Sequence, residues 1–188
     1  MKTTLRKLKK IFNFNSNKLI SNLGINNLDN KIYIIQILKS NGIKDAVKAL
    51  QTQKYKDYCL FNADVAESVL HLFEEEFPND KRPRKAIEGI RLYHAGKITK
   101  YELNKLRKNA SYNTAFAGYG LAAYNASRAV VWAADFTCVF NYTTFCAADA
   151  AYFCDAACSG YEKWKEIEKL FIKHFDNSHL LDDDLFVI

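Results

Sequence analysis

Apolar residues recur at helical spacing along most of this chain. From about Lys56 to Glu76, Leu60, Ala63, Ala66, Val69, Leu70 and Phe73 share one side of a 3.6-residue period, which predicts a long helix. Ile87, Ile90 and Tyr93 mark the inward face of the next one, with Asp80 placed as its N-cap, Pro83 in its first turn and Gly96 as its stop. Thr99 and Glu102 have the spacing of a capping box, in which each side chain satisfies the other's free backbone N–H. They open a helix predicted to run through Arg107 towards Ala134. Further helical stretches follow at about 137–158 and 161–176, with Ser159-Gly160 between them.

The N-terminal third is less regular. Leu5, Leu8 and Phe12 give residues 2–12 the pattern of a short basic amphipathic helix, and the Asn-rich residues 13–30 read as mostly loop. Asp29 is placed to cap a helix from about Lys31 to Ser40, closed by Asn41-Gly42, and another runs from about Ile43 to Thr52. Ile32-Tyr33-Ile34-Ile35 also suits a strand, but no second strand offers itself as a partner, so a helix is preferred.

Alanine changes the picture of the later helices. Nine alanines fall in residues 110–135 and six in 146–158, which lets helix axes approach closely while Tyr124, Trp132 and Phe153 fill the gaps. The expected architecture is all-α: a compact multi-helix bundle with long alanine-rich core helices and a basic N-terminal arm. Residues 1–30 are read as the arm, 31–176 as the helical domain and 177–188 as an acidic and then apolar tail. Only two prolines and seven glycines punctuate 188 residues, and 49% are apolar, enough for a core without disulfides.

Charge is unevenly placed. Seven basic residues face Asp29 alone in the first 31, so the whole net charge of +6 lies there and the rest of the chain is neutral. Arg6, Lys7, Lys9 and Lys10 are candidate nucleic-acid contacts, since basic arms bind phosphate non-specifically. Five cysteines, an odd number, do not make a disulfide framework and point to a reducing cytosol. The basic start lacks a continuous apolar stretch and a cleavage site, and Asp135, Asn141 and Asp149 interrupt the longest apolar runs, so neither a signal peptide nor a transmembrane span is expected. Within the alanine-rich helices Arg128, Asp135, Asp149 and Asp155 form a candidate buried polar network; Arg128 and Asp135, seven apart, share a face. A solvated stripe and a polar cleft are the alternatives.

Arg82 and Arg84 stand at a predicted helix start, where the macrodipole disfavours cations. Carboxylates must compensate, and Asp64, Glu67, Asp80 and Glu88 are the available ones. The turn is therefore expected to be pinned by arginine–carboxylate pairs, or to form an exposed recognition corner. The run Asp64-Val-Ala-Glu67-Ser-Val-Leu-His-Leu-Phe73, then Asp80-Lys-Arg82-Pro83-Arg84-Lys-Ala-Ile-Glu88, then Ala95-Gly-Lys-Ile98 and alanine-rich helices, resembles the immunity proteins of bacterial polymorphic toxin systems, in the set called immunity family five-like. The resemblance covers about residues 45–175 and is most specific around Asp80–Glu88. It implies an all-α protein that neutralises a toxin by binding it, with the motif residues structural or at the interface. The basic, Asn-rich start departs from the pattern and leaves room for another protein target, such as a host defence enzyme blocked by a mobile-element protein.

Catalytic equipment is not evident. His71, His94, His174 and His179 have no metal-ligand spacing, and Cys154 with Cys158 offers two ligands where a structural zinc takes four. No phosphate-binding glycine loop or nucleophile elbow occurs, so a non-enzymatic protein without cofactor or metal is expected.

Overall fold

The computed structural model describes residues 1–11, 13–111, 121–135 and 160–176. These form an all-α bundle joined by one small antiparallel ribbon. In chain order the elements are β1 (Lys2–Thr4), α1 (Leu5–Leu8), α2 (Ser16–Leu23), β2 (Lys31–Tyr33), α3 (Ile34–Asn41), α4 (Ile43–Ala49), α5 (Tyr55–Glu67), α6 (Leu70–Glu76), α7 (Arg82–His94), α8 (Lys100–Ser111), α9 (Leu121–Ala133) and α10 (Gly160–Phe175).

The ribbon corrects the expected helix from Lys31. Thr3 lies opposite Ile32 and Lys2 opposite Tyr33, so the missing partner strand comes from the first four residues. Pairing buries Ile32 and brings Leu5 and Leu8 of α1 into the core, where Leu19 of α2 joins them. Asp29, expected as a helix cap, instead takes two hydrogen bonds of 2.8 Å from the Arg6 guanidinium. Half-buried polar contacts fasten the next segment. The Asp45 carboxylate of α4 accepts the Asn15 backbone N–H at 3.1 Å and the Asn41 side-chain amide at 2.8 Å.

The α5–α9 helices pack as one bundle, with α7 against both α5 and α8. Gly89 explains the closeness of α7 to α8: a Cβ there would lie 2.4 Å from Leu106 Cδ1 and 3.3 Å from Leu103 Cδ1. The turn between these helices is a Schellman closure. Lys97 N–H reaches Leu92 O at 2.9 Å, Gly96 N–H reaches Tyr93 O at 3.0 Å, and Gly96 adopts φ +73°. The Thr99–Glu102 box opens α8 as expected, with reciprocal bonds of 2.7 and 3.2 Å.

Two long helices of the sequence reading are divided. Residues 56–76 hold α5 and α6, because the chain leaves the helical path at Val69, with φ −120° and ψ 0°. The Ser68 hydroxyl donates to Val65 O at 2.7 Å, and Lys163 of α10 donates to Ser68 O at 3.2 Å, drawing that carbonyl out of the ladder. Residues 100–134 hold α8 and α9 as separate, mutually packed helices. On one straight helix Arg107 and Asp135 would stand about 40 Å apart at ~1.5 Å per residue; here Arg107 Nη1 donates to Asp135 Oδ2 at 2.9 Å. The expected alanine packing holds in α9, where Ala123, Ala126, Ala129 and Ala133 are buried. Residues 146–158 lie outside the described residues.

Aromatic edge contacts dock α10. Phe61 of α5 meets Phe171 at 5.5 Å and Phe175 at 5.4 Å between ring centroids. Such pairs contribute about 0.5–1.5 kcal/mol each beyond their buried area.

Candidate functional site

The charged residues of the sequence motif converge on the seam between α5, α6 and α7. Pro83 is buried in the first turn of α7, where its missing N–H leaves no helical hydrogen bond unmade. Burying it aims Arg84 across the seam. Its guanidinium grips Glu74 of α6 in a two-point pair, Nε to Oε1 at 2.7 Å and Nη2 to Oε2 at 2.6 Å, and touches Glu67 of α5 at 3.4 Å. Two helical turns on, Arg91 Nη2 donates to Glu67 Oε2 at 2.5 Å and to Asp64 Oδ1 at 2.9 Å. Asp64 Oδ2 then meets His174 Nε2 of α10 at 3.0 Å and Lys173 Nζ at 3.6 Å.

The result is a continuous chain: Glu74, Arg84, Glu67, Arg91, Asp64, then Lys173 and His174. It ties four helices together. Three carboxylates face two guanidiniums and an ammonium, so the formal charges cancel. This answers the dipole problem of a cation at a helix start: Glu74 places a full negative charge beside Arg84.

The ionisation of each member follows from these contacts. Burial opposes the charge of Asp64, but hydrogen bonds from Arg91 and His174 outweigh it and hold the carboxyl below its ordinary value of 3.8. The Arg84 hydrogen bonds hold Glu74 below 4.5. Glu74 in return raises Arg84, and Glu67 raises Arg91.

Asp80 and Arg82 make a second, local unit at the corner. Asp80 Oδ1 accepts the backbone N–H and Nε of Arg82, both at 3.0 Å, and Oδ2 accepts Nη2 at 2.8 Å. Asp80 thus satisfies a free N–H of the first turn, although Lys81 occupies the cap position itself. The Arg82 hydrogen bonds also lower the Asp80 carboxyl. Glu88 is exposed one turn on and reaches Arg84 only through space. An open, shallow groove of about 740 Å³ runs along this corner, lined by residues of both signs including Glu76, Asp80, Lys81, Arg82 and Lys85.

The other sequence-predicted residues disperse. Asp135 is buried and pairs with Arg107 of α8, while Arg128 lies over the Tyr124 ring at 5.4 Å. Asp149 and Asp155 lie outside the described residues. Arg6 is engaged by Asp29, and Lys7, Lys9 and Lys10 are exposed beside it.

Sequence reasoning missed Glu74, Arg91, Arg107 and His174. Arg91 carried one signal, standing two turns from Arg84 on the same helix side. His174 carried none, since it is 110 residues from Asp64. Among the described residues no group of three His, Cys, Asp or Glu side chains is arranged to hold a metal ion, and no helix is long and apolar enough to cross a membrane.

Most charged residues of the motif thus pair with carboxylates or guanidiniums of the same all-α bundle. Residues 48–138 match the family described as Imm-5 like putative immunity protein, which supports assigning the chain to this immunity-protein family. The match runs from α4 through α9 and beyond, narrower than the resemblance over about residues 45–175. No curated protein and no solved structure matches the chain. The family's description points to an immunity function.

Proposed function

We propose that this protein neutralises a toxin by binding it directly, through a stable protein–protein interface and without catalysis. The family match carries the reading. The internal neutralisation of Arg84 and Arg91 supports it, because the specific motif then maintains the scaffold instead of supplying reactive groups. In this reading residues 31–176 carry the binding surface, on a core that Leu5, Leu8 and Leu19 help to complete. The reading places the protein in the cytosol, in keeping with its odd number of cysteines.

The test is a tagged pull-down from native cells, with and without nuclease, washed at low and high salt. One stoichiometric protein that survives both treatments is the expected result. Its identity separates a toxin from a defence effector blocked by the same scaffold. Recovery of nucleic acid alone, lost as salt rises, overturns the reading in favour of the basic N-terminal segment. That outcome is checked with Lys7, Lys9 and Lys10 changed to Gln; deleting residues 1–28 would also remove Leu5, Leu8 and Leu19 from the core.

A further inference from the structure

Ion pairs within the chain engage the four arginines of α7 and α8 but, among the described residues, none of Lys85, Lys97, Lys105 and Lys108. Arg82, Arg84, Arg91 and Arg107 are each held by a carboxylate of the chain. Lys85, Lys97, Lys105 and Lys108 are exposed, and their ammonium groups make no hydrogen bond or ion pair among the described residues. On α8, Tyr101, Lys105 and Lys108 are spaced i, i+4, i+7 and form one solvent-facing stripe opposite the buried Leu103 and Ala110. Tyr101 is 78% exposed, the highest value among the exposed large hydrophobics of the described residues. On α7, Lys85, Glu88 and Leu92 form a second exposed stripe, and Leu92 is 40% exposed.

We propose that the outer face of the α7–α8 hairpin is the partner-binding surface, with Tyr101 as its anchor, and that it takes an acidic protein surface. This rests on the reading of the chain as a protein-binding inhibitor and gives the partner its chemistry. Tyrosine is among the side chains enriched at binding hot spots, and Leu92 adds exposed apolar area on the other helix of the hairpin. Unpaired lysines around such an anchor steer an oppositely charged partner and set its orientation. A protein fits better than nucleic acid here. The arginines that would grip phosphate in two-point fashion are already held internally. The hairpin is also rigid: Gly89 allows close contact along its length, and the Schellman turn and capping box close its tip.

The experiment uses the full-length tagged protein as bait in native cell extract, with Tyr101→Ala and Lys105→Glu/Lys108→Glu compared with the parent. Lys169→Glu on α10 and Lys9→Glu/Lys10→Glu serve as charge-matched controls. Circular dichroism melts confirm that each variant folds; all substituted positions are exposed. The protein captured by the parent is then purified and its affinity measured. Loss of about 30-fold in affinity for the hairpin variants, with the controls unchanged, is the expected result. A photocrosslinking residue at position 101 should join the same protein, and one at 169 should not. If the hairpin variants bind as the parent does, this surface assignment fails and the inhibitor reading stands. If the parent captures no protein, or only nuclease-sensitive material, the inhibitor reading fails and this inference with it.

Discussion

Replacing Asp64 by Asn removes the charge at the junction of α5, α7 and α10 while keeping the shape of the side chain. Asp64 makes one charge-assisted bond to Arg91 at 2.9 Å, one contact to His174 at 3.0 Å and a longer pair with Lys173 at 3.6 Å. The Lys173 side chain is 69% exposed and adds almost nothing, as solvent-screened pairs do. Arg91 keeps Glu67, so its charge is not orphaned. A bond to a charged group is worth about 1.5–3 kcal/mol when sheltered. With Arg91 side-chain exposure at 39%, that figure is discounted for screening, and the expected loss is about 2 kcal/mol in all. For a chain of this length each kcal/mol lowers Tm by roughly 2–4 °C, so D64N should melt about 4–8 °C below the parent. Differential scanning calorimetry at neutral pH measures this. A cycle with Arg91→Met should show coupling of at least about 0.5 kcal/mol, since the two side chains touch. Additive single effects, or a Tm within about 1 °C of the parent, would refute the claim that the seam holds these helices together.

Three other outcomes are expected. The carboxyls of Asp64, Glu74 and Asp80 all sit below their ordinary values of 3.8, 4.5 and 3.8, so their contribution to stability is complete above those values and is lost as pH falls through the lower folded ones. The melting temperature should therefore drop below about pH 4, with a shallower drop in D64N; identical acid profiles for D64N and the parent would contradict the assignment. Ala126 is fully buried in α9, and Ala126→Leu should overpack the bundle and cost about 1–3 kcal/mol, read by urea denaturation; unchanged stability would mean the helices are not closely paired there. Gly96 has φ +73°, so Gly96→Ala should cost about 1 kcal/mol through backbone strain, whereas a rise in Tm would show that the turn opens.

Local signals proved reliable where one short stretch holds both partners of an interaction. The capping box needs only Thr99 and Glu102, and the end of α7 needs only the freedom of Gly96. Pro83 could be assigned to a first turn because its geometry suits no other helical position. The arginine corner was half legible: its need for carboxylates follows from the helix dipole, but Glu74 could not be preferred over its neighbours Glu75 and Glu76 without knowing which way α6 faces.

Helical periodicity, capping chemistry and alanine content were sufficient for the all-α class and for the helix ends set by a local cap or stop, because those depend on contacts within a turn or two. The chain-reversing features belong to distant partners. Lys31–Tyr33 is extended because Lys2–Thr4 is there to pair with it. The α5–α6 break sits where Lys163, 95 residues away, takes the Ser68 carbonyl, and α8 and α9 are separate so that Arg107 can reach Asp135. Burial then sorted identical chemistry into different roles. Packing turned the arginines of α7 and α8 towards carboxylates of the same chain and left the lysines of that hairpin facing solvent, a division that residue type and spacing cannot express.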